Sequence, residues 1–258
     1  MNDPFPSPHL RDPVLADHFA AFGFCTLPLI DGEASDALRR VFDTMFGGGG
    51  EGFLSTVMQP AALRRAAHDQ IVPHVASALG RHLSNHRIAM CSFVARYPGS
   101  DQSDLPLHQD WSFVDERFAR SMSVWIPLQA VDRTNGCMTI VPASHRHDQP
   151  ARGIGSGFRY RELEPHLRAR HLVDQPLARG EAILFEHRLI HGSRSNLGID
   201  LRLAVGIVLV PSHVPLTMGI PRADGNYAFS RVEDDFLLDA DFAAMIRAAR
   251  DRPGKGQL

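Results

Sequence analysis

SMSVWIPLQAVDRTNGCMTIVPAS, residues 121–144, carries the clearest strand and turn signals of the chain. Two apolar runs containing β-branched residues flank Asn135-Gly136, a dipeptide that is typical of the tight turn between antiparallel strands. We therefore predict that the two runs are neighbouring strands joined as a hairpin.

The same pattern of short apolar runs extends over about residues 87–212. Proline, glycine and polar residues separate the further runs IAMCSFVARY, AILFEH and LAVGIVLVP. Runs of this length between turn-forming residues are typical of buried strands, so the region predicts a β-rich core. Residues 148–170 differ because they are rich in glycine and arginine and have no clear period. We predict that they form a long insertion over one end of the core.

Helical spacing of apolar residues dominates the chain before this core, over about residues 1–86. It predicts three helices, at residues 13–22, 31–45 and about 60–83. The run FCTLPLI between the first two predicts a short strand, and the glycine-rich run at 47–52 ends the second helix. We expect one domain over residues 1–258, mainly β with flanking helices.

Composition limits the classes of function. No apolar run approaches the roughly 20 residues of a membrane-spanning helix. A net charge of -2 gives no basic surface for nucleic acid or an anionic membrane, so we expect a small molecule as the partner. The three cysteines lack paired spacing and the N-terminus lacks a secretory pattern, which together favour the cytosol. The sequence does not determine the oligomeric state.

The segment LPLHQDWSF contains a histidine and an aspartate two positions apart, His108 and Asp110. Because side chains alternate along a strand, this spacing aims both at the same face. His191 offers a third ligand if the fold returns the chain to the same place. Two imidazoles and one carboxylate would leave three adjacent coordination positions open, as an iron(II) oxygenase requires. His187 shares the strand parity of His191, so alternation alone leaves the choice between them open.

The segment HGSRSNLGIDLRLAVGIVLV predicts two strands with a turn at Leu197-Gly198. If the strands form a hairpin centred there, Ser193 lies opposite Arg202. A hydroxyl and a guanidinium side by side would bind the far carboxylate of a short diacid.

These motifs resemble the phytanoyl-CoA dioxygenase family of Fe(II)/2-oxoglutarate-dependent oxygenases. The resemblance is carried by PLHQD at 106–110, by Trp125, by DRTNGCMTIVPASH at 132–145, and by GEAILFEHRLIHGSRSN and the chain that follows it as far as Arg202. It extends over roughly residues 87–212 and loosely over the N-terminal part. It implies a double-stranded β-helix, a jelly roll of the cupin type, whose two sheets enclose a metal near one open end.

The resemblance also implies roles for single residues. The iron ligands would be His108, Asp110 and His191. Arg202 and Ser193 would bind the distal carboxylate of 2-oxoglutarate. The implied reaction consumes 2-oxoglutarate and O2 at Fe(II), releases succinate and CO2, and hydroxylates or otherwise oxidises a C–H bond of a small organic substrate.

Further positions follow from the same resemblance. Trp125 would line the cosubstrate pocket and Phe93 would form another wall of it. His187 would not be a ligand, and His145 would be structural. The family also contains halogenases, in which a small residue replaces the carboxylate ligand, so the presence of Asp110 argues for hydroxylation or a related oxidation.

Candidate substrate contacts lie after the ligands and in the insertion. Trp111 and Phe113 follow the ligands and could face the cavity. In the insertion, an anionic or amino-acid-like substrate could be contacted by Arg152, Phe158, Arg159 and Tyr160. Two alternative functions are a non-catalytic β-barrel that binds a small molecule and a cupin-type dioxygenase without 2-oxoglutarate, although the second leaves Arg202 unexplained.

Overall fold

The computed structural model describes residues 7–47, 50–99, 104–147, 151–222 and 226–250. Residues 48–49 of the glycine-rich run and residues 148–150 of the insertion lie outside these ranges. The helices are α1 Pro13–Phe22, α2 Gly32–Phe46, α3 Ala61–His82, α4 Glu164–Arg170, α5 Phe236–Asp239 and α6 Phe242–Arg250. The strands are β1 His9–Leu10, β2 Phe24–Pro28, β3 Phe53–Ser55, β4 Leu83–Ser84, β5 Arg87–Arg96, β6 Leu105–His108, β7 Met122–Pro127, β8 Met138–Ile140, β9 Val173–Gln175, β10 Glu181–Glu186, β11 His191–Ser193, β12 Arg202–Val210, β13 Thr217–Pro221 and β14 Tyr227–Arg231.

The three predicted N-terminal helices are confirmed, and local signals set their ends. The Asp12 side chain accepts hydrogen bonds from the backbone of Val14 and Leu15 and thereby caps α1. Gly23, with φ at 82°, ends the same helix in the left-handed conformation. Asp31 caps α2 in the same way as Asp12 caps α1. None of the helices in the described ranges is both long and apolar enough to cross a lipid bilayer.

Two antiparallel sheets form the core. Six strands lie in the order β2-β10-β7-β12-β5-β3, and four lie in the order β6-β11-β8-β9. One apolar cluster contains Trp125 and Ile183 from the first sheet together with Met138 and Ile140 from the second, so the sheets face each other. The fold is therefore the jelly roll expected from the resemblance. Helices α2 and α3 pack on the outer face of the six-stranded sheet, where Phe42 belongs to the largest cluster.

The hairpin predicted at Asn135-Gly136 is wrong. The turn itself is present, with Gly136 at φ 96°, but β7 pairs with β10 and β12 whereas β8 pairs with β11 and β9. The turn therefore carries the chain from one sheet to the other. A dipeptide signals a local reversal, but the pairing of each strand depends on distant segments.

The hairpin predicted at Leu197-Gly198 is wrong for the same reason. Strand β11 lies in the four-stranded sheet and β12 in the six-stranded sheet. Arg202 is opposite Arg96, not opposite Ser193. The two residues still line one cavity because the sheets that carry them face each other.

The insertion contains a helix that its sequence did not reveal. Helix α4 is only seven residues long, less than two full turns, so its apolar period is too short to recognise. Pro165 lies in its first turn and Glu164 pairs with Arg168 one turn later.

Candidate metal centre

A cavity of about 430 Å³ lies between the two sheets, and His108, Asp110 and His191 share its wall. One potential ligand atom from each lies within 4.8 Å of the others. The Nε2 atoms of His108 and His191 are 3.9 and 3.7 Å from Oδ1 of Asp110. Residues that are separated by up to 83 positions in the chain thus converge on one point.

Strand pairing brings the three side chains together. His108 ends β6 and His191 begins β11, and the two are direct partners in the antiparallel register. Their ring centroids are 4.3 Å apart. Just beyond β6, the backbone N–H of Asp110 donates to the carbonyl of His187 at 3.1 Å, which fixes the carboxylate beside both rings.

Hydrogen bonds orient both imidazoles. Nδ1 of His108 lies 2.9 Å from the carbonyl oxygen of Pro106, and Nδ1 of His191 lies 2.9 Å from that of Leu189. A carbonyl can only accept, so each ring carries its proton on Nδ1 and presents the Nε2 lone pair to Asp110. Backbone bonds of this kind set the tautomer of metal-binding histidines.

The charge states also suit a cation. Burial, assisted by the neighbouring His191, lowers the pKa of His108 to about 4, so this ring is neutral at physiological pH. Burial alone would raise the pKa of Asp110, but His191, His187, His108 and the Ser123 hydroxyl together hold it below its ordinary value. Neutral imidazoles and an ionised carboxylate are the forms in which these groups bind metals.

His187 lies outside the group of three. It is fully buried, and its ring lies between Ser121, 2.7 Å from Nδ1, and Ser123, 2.9 Å from Nε2. Ser123 in turn donates to Oδ2 of Asp110 at 3.0 Å. The sequence prediction missed both serines, although Ser123 shares the strand parity of Trp125 and lines the cavity with it.

Arg202 and Ser193 form a second polar group in the cavity. The Arg202 side chain is 2% exposed, and within the described ranges no carboxylate pairs with it. Its Nε and the Ser193 hydroxyl are both buried without a hydrogen-bond partner there. The guanidinium lies 5.5 Å from the ring centroid of Trp125. Burial and the nearby charge of Arg96 lower the pKa of Arg202 to about 9, so it is still protonated at neutral pH.

Burying the Arg202 cation without a counter-ion costs free energy. An anion that bound beside it would offset this cost. The turn at Asn135-Gly136 packs closely against the Arg202 guanidinium. A Cβ added at Gly136 would lie 3.4 Å from Nε of Arg202 and 3.1 Å from the carbonyl oxygen of Arg194.

Phe93 does not line the cavity. Gly206 of β12 is opposite both Ser92 and Trp125, so these three positions form a row on the inner face. Phe93 follows Ser92 and therefore points to the outer face, where its ring packs edge-on against Phe42 at 5.4 Å. The predicted wall residue Phe93 is thus one position away from Ser92, which does line the cavity. On a strand, a shift of one residue moves a side chain to the opposite face.

Three aromatic residues that were predicted to contact the substrate line the cavity: Trp111, Phe113 and Phe158. The Phe113 ring meets His187 at a centroid distance of 4.9 Å. The Phe158 ring stands edge-on to His108 at 5.7 Å. The aromatic part of the cavity therefore adjoins the three candidate ligands.

The other candidates from the insertion lie elsewhere. Arg152 is buried, pairs with Glu116, and donates from Nε to the backbone carbonyl of Asp110 at 2.7 Å. Arg159 is exposed and does not line the cavity. Tyr160 is buried in a small apolar cluster away from it.

His145 also lies apart from the candidate ligands. It belongs to the 3-10 turn Ser144–Arg146 and packs against the end of α1, so that a Cβ at Gly23 would meet its ring. Burial and the charge of Arg188 lower its pKa to about 4.

Comparisons with known proteins identify the family of the chain. A family model described as phytanoyl-CoA dioxygenase (PhyH) matches residues 40–204. The peroxisomal phytanoyl-CoA dioxygenase of Rattus norvegicus is 30% identical over 154 residues, which cover 55% of this chain and 44% of that protein. The Bos taurus protein is 28% identical over 113 residues, covering 42% and 34%. The chain thus spans less than half the length of these curated relatives.

Solved structures share the fold. HygX from Streptomyces hygroscopicus, with nickel and 2-oxoglutarate bound, aligns with a TM-score of 0.57 at 15% identity over 78% of this chain and 88% of that one. EctD from S. alaskensis, with 2-oxoglutarate and 5-hydroxyectoine, aligns with a TM-score of 0.56 at 20% identity over 83% and 89%. The family model itself covers well over half of the 258 residues. The chain therefore belongs to the phytanoyl-CoA dioxygenase family.

Proposed function

We propose that this chain is an Fe(II)- and 2-oxoglutarate-dependent dioxygenase that hydroxylates a C–H bond of a small organic substrate. The observation that carries the proposal is the buried pair of Arg202 and Ser193. Within the described ranges, Nε of Arg202 and the hydroxyl of Ser193 have no hydrogen-bond partner. Both side chains line the cavity that holds the three candidate ligands. A site that bound only a metal would have no use for a buried guanidinium.

The donor set fits the proposed metal. His108, Asp110 and His191 would hold Fe(II) through two imidazole nitrogens and one carboxylate oxygen, a combination that leaves adjacent positions open. Arg202 and Ser193 would bind the distal carboxylate of 2-oxoglutarate, with Trp125 beside the guanidinium. Membership of the family supports the same assignment.

The overall reaction is a coupled oxidation. When bound, iron and 2-oxoglutarate supply the oxidising chemistry, and the protein supplies orientation and exclusion of water. One atom of O2 enters the substrate as a hydroxyl and the other enters succinate, while C1 of 2-oxoglutarate leaves as CO2. Substrate and 2-oxoglutarate each give up two electrons, which together reduce O2. The chain needs no general base for this balance.

Anaerobic binding is the first test. Both tryptophans of the chain line the cavity, so their fluorescence reports its occupancy. We expect 2-oxoglutarate to change this fluorescence and raise the melting temperature only when Fe(II) or Mn(II) is present. His108→Ala should abolish both responses. Stabilisation by neither ligand, with no succinate formed in air, would instead favour a binding module without catalysis.

Product mass then identifies the oxidation. Hydroxylation adds one oxygen to the substrate, desaturation removes two hydrogens, and epimerisation leaves the mass unchanged. Formation of product without consumption of 2-oxoglutarate would favour the cupin-type alternative, in which Arg202→Ala leaves activity intact.

Three further proposals concern the chain as a whole. We propose that residues 1–258 act as one catalytic domain, because β2 and β3 from the N-terminal part complete the six-stranded sheet.

We propose a cytosolic location because Cys25, Cys91 and Cys137 are free, buried thiols. We propose a small-molecule partner because the candidate site lies inside a cavity.

A further inference from the structure

The cavity has a polar inner end and an apolar rim. Arg202 and Ser193 are almost wholly buried at one end, whereas Met58 and Phe158 also line the cavity and are 43% and 40% exposed. A molecule entering from solvent therefore passes these apolar side chains before it reaches the candidate ligands.

The charges that line the cavity are few. Within the described ranges, the only ionisable side chains in its wall are His108, Asp110, His191 and Arg202. The proposed function assigns all four, three to the metal and one to the distal carboxylate of 2-oxoglutarate. Apolar side chains provide much of the remaining wall, including Val57, Met58, Met90, Trp111, Phe113 and Phe158.

The arginines of the insertion do not add charge to this wall. Arg152 is held by Glu116 and by the backbone of Asp110, and Arg168 is held by Asp104 and Glu164. These two guanidiniums are committed to structural ion pairs. The other three arginines of the insertion, Arg159, Arg161 and Arg170, are exposed and do not line the cavity. An anionic substrate would have to bind without them.

The sequence extends this argument to the internal segments outside the described ranges. Residues 48–49, 100–103, 148–150 and 223–225 contain no arginine, lysine or histidine. No cation for a second anion therefore comes from them. A buried carboxylate or phosphate without a partner is strongly disfavoured.

Phe158 stands where a substrate would meet the metal site. Its ring is edge-on to the candidate ligand His108 and still reaches solvent. The chain before it is anchored, because Ile154 donates to the carbonyl of Gly219 at 2.9 Å and a Cβ at Gly153 would clash with the same carbonyl. Beside Phe158, a Cβ at Gly157 would meet nothing within 4 Å, so there is open space next to the ring.

We propose that 2-oxoglutarate is the only anion the cavity accepts, and that the substrate is a neutral molecule whose reacting part is apolar and packs against Phe158. This inference rests on the proposed function, and it departs from the anionic or amino-acid-like substrate that the arginines of the insertion had suggested. Aromatic side chains bind apolar groups through their large contact area, which makes Phe158 a specificity-determining residue.

Matched probes test the charge of the substrate. The protein is saturated with Mn(II) and 2-oxoglutarate and then titrated with each probe while tryptophan fluorescence is recorded. The linear probes are octanamide, octanoate and octylammonium. The cyclic probes are cyclohexanecarboxamide, cyclohexanecarboxylate and cyclohexylmethylammonium. We expect each amide to bind at least tenfold more tightly than its charged counterparts. The inference is overturned if a charged probe binds as tightly as its amide, or if no probe binds to protein that does bind 2-oxoglutarate.

Variants test the role of Phe158. Phe158→Ala should weaken binding of the amides about tenfold and leave 2-oxoglutarate binding unchanged, and Phe158→Leu should retain most of the affinity. Phe118→Ala is the matched control, because Phe118 is an exposed phenylalanine outside the cavity wall. Equal effects of Phe158→Ala and Phe118→Ala would refute the assignment. If 2-oxoglutarate changed neither the fluorescence nor the melting temperature of the wild-type protein with Mn(II), the proposed function itself would be refuted. That outcome is distinct from a failure of the Phe158 assignment.

Discussion

The hydroxyl of Ser123 donates a 3.0 Å hydrogen bond to Oδ2 of Asp110, the carboxylate oxygen that does not face the two imidazoles. Since a hydroxyl has one proton, Ser123 can only accept from His187, so His187 carries its proton on Nε2 and accepts from Ser121 through Nδ1. This chain of hydrogen bonds holds Asp110 with a single oxygen, Oδ1, directed at the candidate metal position.

Removing the Ser123 hydroxyl should therefore weaken metal binding. We expect Ser123→Ala to lower the affinity for Fe(II) or Mn(II) by about 10- to 100-fold, the usual effect of losing a partner of a metal ligand. Isothermal titration with Mn(II) measures this loss. Ser121→Ala, two hydrogen bonds further from Asp110 along this chain, should cost less. Affinity equal to the wild type in Ser123→Ala would show that the hydroxyl does not position the carboxylate.

Replacing Arg202 by lysine should weaken 2-oxoglutarate binding and spare the metal. Lysine keeps the charge but loses the planar pair of donors that matches a carboxylate. A charged hydrogen bond contributes about 1.5–3 kcal/mol, so we expect a loss of affinity of about 10- to 100-fold. Fluorescence titration with 2-oxoglutarate in the presence of Mn(II) measures it. Arg133→Lys, at an exposed ion pair with Asp174, is the control and should bind 2-oxoglutarate normally.

Gly136→Ala should destabilise the protein. The residue has φ at 96°, and an added Cβ would press on the carbonyl of Arg194 and on the Arg202 side chain. A strained conformation of this kind costs about 1–3 kcal/mol. Urea unfolding measures the change, and 2-oxoglutarate affinity should fall with it. Gly80→Ala, in α3 with no atom within 4 Å of the new Cβ, should instead stabilise by about 0.5–1 kcal/mol.

Stability should decrease below pH 6.5, in part through His145. Burial lowers its folded pKa to about 4, whereas an unfolded histidine titrates near 6.5. The unfolded chain therefore binds more protons between these values, and the free energy of unfolding falls as pH falls, by at most about 1.4 kcal/mol per pH unit for this residue. His108 and His187 add to the slope in the metal-free protein.

His145→Asn should make the dependence of unfolding free energy on pH shallower between pH 6.5 and 4. Urea unfolding at a series of pH values measures the slope of the unfolding free energy against pH. A loss of packing in the variant lowers the free energy equally at every pH and so leaves this slope unchanged. A slope unchanged from the wild type would mean that His145 does not titrate as its burial predicts.

Local signals predicted much of the fold and part of the candidate site. Caps and apolar periods predicted α1, α2 and α3, and the short apolar runs predicted the principal strands. The spacing of His108 and Asp110 predicted that their side chains would meet, and they do line one cavity. Strand alternation is not the cause, because Asp110 lies beyond the end of β6 and is placed by its backbone hydrogen bond to His187. The family resemblance selected His191 over His187, a choice that strand parity left open.

The sequence by itself determined helices α1, α2 and α3 and the principal strands, where the turn at Asn135-Gly136 falls, and which residue types were available to hold a metal and a diacid. Those properties depend on neighbours along the chain. Only the tertiary structure decided that β11 and β12 belong to opposite sheets, that Phe93 faces outward, and that Ser123 and His187 support Asp110. Such relations depend on which distant strands pair and in what register, and a shift of one residue exchanges the two faces of a strand.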